Sequence, residues 1–409
     1  MPAAQSALVI GGGIAGPVAA TALVMAGIDA TVYEARPASA TDGIGGSLAL
    51  EPNGLATLRI VGAVDAVRAA AIPITTSVMS IGSKPGREVP TPQGLPPRQL
   101  IDRGELHRIL RDRAMGAGVR IHHGAKLIRV DEHPRGVTAH FADGTSATAD
   151  VLVGADGVHS AVRRLIDPQA PNARYLEMLG FEGLVDEDID DPATASIAPG
   201  TMTFAFGKRA YYLYWKRPDG RIGWGANLPS PQYLSLKEAR AVPADEWLQT
   251  LRTAYADDVP GARLAAETTS DTLQAVGALH IMPPVPHWHR GRMVLVGDSV
   301  HAPSNSTGQG ASLAMESAIE LARCLRDLPD VSTAFATYER LRRQRVEKIA
   351  ARGARLGRAK TPGPVAQRMM RLLIPLMLKS MNIEKTMGDE QRFTIDWDAP
   401  LQKDAKSLA

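Results

Sequence analysis

The chain is short of cysteine, of aromatic residues and of any excess charge, and each shortage removes a class of protein. A single cysteine, Cys324, among 409 residues cannot close an intramolecular disulfide, so a disulfide-stapled scaffold is excluded and a reducing, cytoplasmic setting is expected. The formal net charge is only +3, which supplies no basic field for nucleic acid, so no nucleic-acid partner is expected. No uninterrupted apolar run approaches the ~20 residues that cross a bilayer, and Met1-Pro2-Ala3-Ala4-Gln5 carries no basic n-region; neither a membrane span nor a secretory signal is expected. Internal repeats and long low-complexity tracts are absent, and no metal site is expected. What remains, 44% hydrophobic and 22% charged, is the composition of a globular protein long enough for two domains.

The informative stretch is Ala7-Leu8-Val9-Ile10-Gly11-Gly12-Gly13-Ile14-Ala15-Gly16. An apolar run read as a buried parallel strand enters glycines, and a helix follows from Gly16 to Gly27. Gly11 permits the tight turn, Gly13 lets the backbone approach a pyrophosphate, and Gly16 lets the helix pack close to the strand. Phosphates then meet free N–H groups, those of Ile14 and Ala15 included, at the positive end of the helix. A second strand, Ala30 to Tyr33, ends at Glu34, whose carboxylate can accept hydrogen bonds from a ribose. Arg36 lies beyond it, over an adenine, beside a phosphate or in solvent. Ile44-Gly45-Gly46-Ser47 forms a further loop, and Asn53 is expected to cap a helix from Gly54 to Val61.

Further along, Asp102 with Glu105 reads as a capping box, which puts Arg103 in a first helical turn, a place explained by a nearby anion. Strands are expected over Val119–His122, Ala125–Val130 and Val137–Phe141, with a turn at Asp143-Gly144. Asp150 to Gly154 returns as a buried strand running into Gly154-Ala155-Asp156-Gly157-Val158-His159-Ser160. From Arg174 to Leu279 helical periodicity fades. Seven of the chain's few aromatics fall between Phe204 and Trp224, which reads as an antiparallel sheet. Phe204 and Phe206 share one strand face, as do Tyr212 and Tyr214. These four and Trp224 are candidates for a substrate-pocket wall or for sheet core. Pro283 to Pro286 leads back to the strand Met293 to Val296, which ends at Gly297-Asp298. A loop to Thr307 and Gly308-Gln309-Gly310 precede another helix. A basic helix follows from Thr333 to Lys360, its arginines read as a solvated face, and Met369 to Met381 is expected to pack over the domain junction, with contact to a membrane surface or the lining of a substrate entrance as alternatives.

Three motifs together resemble the single-component, class A FAD-dependent aromatic hydroxylases and monooxygenases, in order and length most like the tetracycline-inactivating and polyketide-tailoring members. They are Gly11 to Gly16 with Glu34 and Arg36, Gly154 to Arg163, and Gly297-Asp298-Ser299-Val300-His301 running to Gly308-Gln309-Gly310. The resemblance implies an α/β fold: a Rossmann-like FAD-binding domain (the GR2 type) with an inserted antiparallel-sheet substrate domain and C-terminal helices. On that pattern residues 1–173 and 286–331 form the FAD domain, with some substrate-domain strands in the first part, 174–285 form mainly the substrate domain, and 332–409 the C-terminal helices.

The same resemblance implies FAD as cofactor, NADPH or NADH as transient electron donor, and O2 as co-substrate. The reaction it implies passes through a flavin C4a-hydroperoxide that gives one oxygen atom to an aromatic or polycyclic, antibiotic-like small molecule of secondary metabolism. Glu34 would hold the adenosine ribose, Arg103 the phosphate or ribityl region, Asp156 FAD and the nicotinamide nucleotide, and Asp298 the ribityl chain. Gly46 joins the cofactor set, and Gly308 to Gly310 would face the flavin pyrimidine end. Where the family often places a proline beside the flavin this chain has Asn305, a candidate for bonding substrate or peroxide, with Pro303 two residues earlier as a further substrate contact. His301 reads as structural. The alternatives are a flavin-dependent reductase without oxygen insertion, or an FAD-bound protein that sequesters a ligand. A monomer or homodimer is expected.

Overall fold

A computed structural model describes residues 1–40, 46–82, 86–186, 197–358, 369 and 384–401. Its centre is a six-stranded sheet. Ser6–Ile10 lies inside it, with Asp29–Glu34 parallel on one side and Val151–Gly154 parallel on the other. Arg120–His123 extends the first side, and Met293–Leu295 with the antiparallel edge His289–Arg290 extends the second. Both faces of these inner strands are covered, which is why they read as continuous apolar runs and not as alternating ones. The chain leaves Ser6–Ile10 to one side and returns to the other. In open α/β sheets, ligands bind beyond the strand carboxyl ends at such a reversal. The helix Ala15–Met25 packs there against Gly310–Asp327.

A second sheet has seven strands in the order Leu273–Ile281, Arg174–Val185, Ile222–Pro229, Tyr211–Lys216, Thr201–Phe206, Thr76–Ile81 and Arg87–Val89. Two of these come from far upstream, and Thr76–Ile81 pairs parallel with Thr201–Phe206. Alternation gives the sheet two different faces. Phe181, Tyr212, Tyr214 and Trp224 on one face are sealed by the helices Ala244–Tyr255 and Gly261–Glu267 through Leu251, Tyr255 and Leu264. Met202, Phe204, Leu213 and Trp215 on the other pack toward Ile72, Ile74 and Leu100. Those three belong to a small sheet of Ser47–Leu50, Arg98–Asp102 and Ile72–Ile74.

The region 174–279, expected to be mainly sheet, also holds helices that were not anticipated, at Leu236–Ala241, Ala244–Tyr255 and Gly261–Glu267. The signals were local ones. Ser235 and Glu238 form a capping box, Asp245 and Glu246 occupy the next first turn, and Leu248, Leu251 and Tyr255 repeat at helical spacing. The hairpin at Asp143-Gly144 joins Gly136–Phe141 to Ser146–Ala149. The long basic helix runs Val331–Arg358. Met369 is exposed, and the rest of the Met369–Met381 segment lies outside the described residues, as do Ile44 and Gly45. Among the described residues, no helix is long and apolar enough to cross a membrane.

Candidate active site

The first glycine turn is fixed by close backbone approach. Gly11 has φ +107°, and a Cβ there would stand 2.4 Å from the Ala155 carbonyl oxygen. A Cβ on Gly16 would stand 1.9 Å from the Gly11 carbonyl oxygen, so helix and strand meet there without a side chain between them. Gly13 differs: a Cβ would meet nothing within 4 Å. That open side lies before the helix Ala15–Met25, whose first turn has no acidic residue and no side-chain cap, Ile14 being the boundary residue. Its N–H groups are available to an anion. The Glu34 carboxylate accepts the Gly12 N–H at 2.6 Å and the Arg36 N–H at 2.8 Å, which holds it at the lip of the turn. The Arg36 side chain is exposed.

The second and third turns are bolted to each other. The carboxylate of Asp156 accepts from Ser160 Oγ at 2.5 Å and from the Ala161 and Val162 N–H groups at 2.7 and 3.1 Å, so it caps the helix Ala161–Ile166. Burial raises its carboxyl, and these hydrogen bonds oppose the rise. Arg163, buried, donates to the Ser299 carbonyl at 2.7 Å and the Val158 carbonyl at 3.0 Å. Gly297 has φ +65°, and a Cβ on it would meet the Ala314 and Ala15 Cβ atoms at 3.0 and 3.1 Å. Asp298 is the next residue. Burial raises its carboxyl, and Arg103 pulls it down. Arg103 opens the helix Arg103–Gly116 and donates its N–H to the Gly46 carbonyl at 3.3 Å. Asp102 caps this helix by accepting the Glu105 N–H at 3.0 Å, while the Glu105 carboxylate turns to Arg108 at 2.6 Å; the expected capping box is half formed.

Behind the third turn lies a buried polar network that the sequence reading missed. Gly308 has φ +64°. Gln309, buried, pairs its amide with that of Asn53 at 2.8 and 3.3 Å. Asn53 also donates to Glu316 at 2.7 Å. This corrects its assignment as an N-cap: the helix is Pro52–Ile60, bounded by Glu51, and Asn53 lies inside it. Glu316 accepts from Arg342 at 2.6 Å and twice from Arg345 at 2.9 Å. Burial would raise the Glu316 carboxyl, but Arg342 and Arg345 hold it below its ordinary range. The arginines of the long helix are therefore not simply a solvated face. Glu51, also buried and raised by burial, accepts from Gln391 at 2.9 Å and stands 3.1 Å from where a Cβ on Gly308 would be. His301 lies 2.8 Å from Ser317 Oγ, and burial with the Arg342 charge pushes it down to about 3. A signal was available: Glu316 sits three residues from both Leu313 and Ile319, on the helix's apolar stripe, where a carboxylate requires a buried partner. Pro303 is buried on the same loop and Asn305 is exposed, in the turn Asn305–Thr307.

The aromatic candidates divide by face. Tyr212, Tyr214 and Trp224 are corrected: they are sheet core beneath the helices, with Gly261 N–H donating to the Tyr212 hydroxyl at 3.3 Å and Trp224 Nε1 donating to Thr268 Oγ at 2.9 Å. Phe204 and Phe206 lie on the other face, half-buried, with Leu213 and Trp215. Glu182, not anticipated, is on that face too and accepts the Ser47 N–H at 2.5 Å and the Ser47 hydroxyl at 2.6 Å. A groove of about 680 Å³ lined by Arg209, Leu228, Glu246 and Thr250 is flanked by the helix Ala244–Tyr255, and none of the motif residues lines it. No group of described His, Cys, Asp and Glu residues could hold a metal.

The crevice thus has an uncapped helix N-terminus over the open side of Gly13, carboxylates at Glu34 and Asp298, and a second uncapped helix N-terminus at Gly310. Such an arrangement fits an extended dinucleotide, with the Gly310 end placed to stabilise negative charge.

Comparison with known proteins agrees. A family model described as an FAD binding domain matches residues 4–353. The 3-amino-4-hydroxybenzoate 2-monooxygenase of Streptomyces platensis is 33% identical over 369 residues, covering 85% of this chain and 87% of that protein. The structure of Klebsiella pneumoniae HpxO complexed with FAD and uric acid superposes with a TM-score of 0.78 at 26% identity, covering 95% of this chain and 96% of that one. The tetracycline destructase Tet(55) superposes at 0.69 over 97% of this chain and 99% of its own, at 21% identity, a likeness of fold alone.

Proposed function

The chain belongs to the FAD-binding-domain family and is an FAD-dependent monooxygenase; from that premise we propose that it hydroxylates a small aromatic or heteroaromatic ring with one atom of O2, using NADPH or NADH. The observation that carries the reading is the convergence of three strand ends on one crevice, open at Gly13.

The residues fit FAD. In this reading Glu34 accepts from the adenosine ribose, and its hold on Gly12 keeps the carboxylate in place. The pyrophosphate lies over Gly13 and the Ala15–Met25 N-terminus, and Asp298 with Arg103 takes the ribityl side. Asp156 serves chiefly by capping Ala161–Ile166, and so keeps the second turn against the third. When bound, FAD supplies the redox chemistry, taking electrons from the nicotinamide and passing them to O2. The protein's share is to position the ring, exclude water and stabilise charge through the Gly310 helix end. Phe204 and Phe206 supply apolar wall, Pro303 stiffens the loop, and Asn305 offers its carboxamide to the substrate. The aromatic acids and purines named for the relatives are single or fused small rings, and they support a ring of that size. The larger polycyclic expectation has only the fold likeness behind it.

The test is NADPH and NADH oxidation by FAD-loaded protein against 3-amino-4-hydroxybenzoate, uric acid, simple phenols and tetracyclines, with O2 uptake and product mass followed together. A compound that accelerates oxidation, draws O2 in step and gains one oxygen supports the reading. Product without O2 uptake indicates a reductase. A flavin that neither nucleotide reduces, even with a tight ligand present, indicates sequestration.

A further inference from the structure

We propose that Glu182 selects the substrate, and that the ring this enzyme oxidises presents to it a protonated amine or an N–H or O–H donor and not a carboxylate. The proposal rests on the monooxygenase reading and adds the chemical class of its substrate.

Glu182 stands, part-buried, on the same face of the second sheet as Phe204 and Leu213. Its cross-strand partners are Gly225 on one side and Gln274 on the other, and Gly180 precedes it by two residues on the same strand. Gly225 brings no side chain of its own beside Glu182, and Leu213 packs against it, 3.6 Å from where its Cβ would stand. Val276 lies against Gly180. A fixed carboxylate beside Leu213, Val276 and glycines is the kind of polar group that orients a ligand in a small-molecule site. The carboxylate is fixed because Ser47 donates its N–H to one oxygen and its hydroxyl to the other. Each oxygen keeps further acceptor capacity.

Two electrostatic facts set the sign. Among the described residues Glu182 makes no ion pair. Arg217 is the cation whose field reaches it, and Arg217 pairs with Asp219 at 3.5 Å. Burial raises the Glu182 carboxyl and the nearby Asp102 adds to the rise, against the Ser47 hydrogen bonds. A carboxylate ligand would add a third negative charge here, whereas a cation or donor relieves the desolvation. Glu182 is joined to the crevice: a Cβ on Gly46 would stand 2.1 Å from its carboxylate, and the Gly46 carbonyl accepts the N–H of Arg103, whose charge acts on Asp298.

The experiment titrates FAD-loaded protein with tyramine, 4-hydroxyphenylacetamide and 4-hydroxyphenylacetate, which share a ring and differ in charge. Binding is read by calorimetry and by the flavin absorbance change. The wild type should prefer tyramine to the acid by about tenfold or more, Glu182→Gln should bring the two within about threefold, and Glu182→Arg should reverse the order. Ser47→Ala keeps the charge and should keep the order, so a role for Glu182 that consists only of holding Ser47 is told apart. Preference for the acid, binding of none of the three, or a preference that survives Glu182→Gln overturns the proposal. Hydroxylation of an acid with matched O2 uptake would sink the charge selection and leave the monooxygenase reading standing. A tyramine preference with no O2 uptake by any substrate would do the reverse.

Discussion

Removing the Glu316 carboxylate should unfold this protein more readily than any other single polar truncation near the crevice. Its side chain is fully buried and accepts from Asn53 at 2.7 Å, Arg342 at 2.6 Å and Arg345 at 2.9 Å. Arg342 is equally buried, and without Glu316 it would keep only a 3.3 Å bond from Nε to Ser317 Oγ, with Nη1 already unpaired. Leaving one partner of a buried pair uncompensated costs about 3–5 kcal/mol, so Glu316→Ala should lose that much in urea unfolding of the FAD-loaded protein. Replacing both charges by apolar groups of similar volume is often neutral, so Glu316→Leu with Arg342→Met should recover most of the loss. Arg345 is part-exposed and keeps the Glu390 carbonyl at 2.8 Å, so it does not spoil the comparison. Because Asn53 links Glu316 to Gln309, FAD affinity should fall with Glu316→Ala as well. A loss below about 1 kcal/mol, or a double variant as unstable as the sum of the singles, would refute the reasoning.

His301 has a folded-state value depressed from 6.5 to about 3, so below pH 6.5 the unfolded chain binds a proton that the folded chain does not. Stability should therefore fall on acidification by about 1.4 kcal/mol per pH unit from this group, roughly 2 kcal/mol by pH 5. His301→Gln should lose that component of the slope between pH 7 and 5, and identical slopes would count against it. Gly13→Ala should leave the melting temperature within about 2 °C, since nothing stands near its Cβ, yet weaken FAD about tenfold or more. Gly16→Ala, 1.9 Å from a carbonyl oxygen, should cost about 1–3 kcal/mol or more as well as FAD; thermal melts with FAD titration separate the two. Trp224→Ala should cost about 3–5 kcal/mol and leave substrate preference alone, whereas Phe204→Ala should raise KM for a smaller loss of stability.

What was legible in the sequence follows from the range over which each feature is determined. The Gly11 to Gly16 turn is local: strand, turn and helix are adjacent in the chain, Gly16 is required by its approach to Gly11 and Gly11 by its approach to Ala155 at the neighbouring strand end, while Gly13 faces open space. Period-2 alternation likewise showed that Tyr212 and Tyr214 share a face. Alternation cannot say which face is inside, however, because that depends on where the helices Ala244–Tyr255 and Gly261–Glu267 dock. The buried network was hidden for a related reason. Asn53, Gln309, Glu316, Arg342 and Gln391 come from separate parts of the chain, and each alone reads as a cap, a motif residue or a surface charge. Only Glu316 betrayed itself, by occupying an apolar stripe. Glu182 shows the same limit at the substrate end. A glutamate between Phe181 and Gly183 on a strand has no meaning by itself; it acquires one when Gly225 comes beside it and Ser47 binds it. The glycine turns are contiguous in the chain and their geometry could be read, while the surroundings of Glu182 are built from tertiary juxtaposition. On the proposal made for Glu182, substrate choice can be altered at a few facing positions without disturbing the glycine turns of the first sheet.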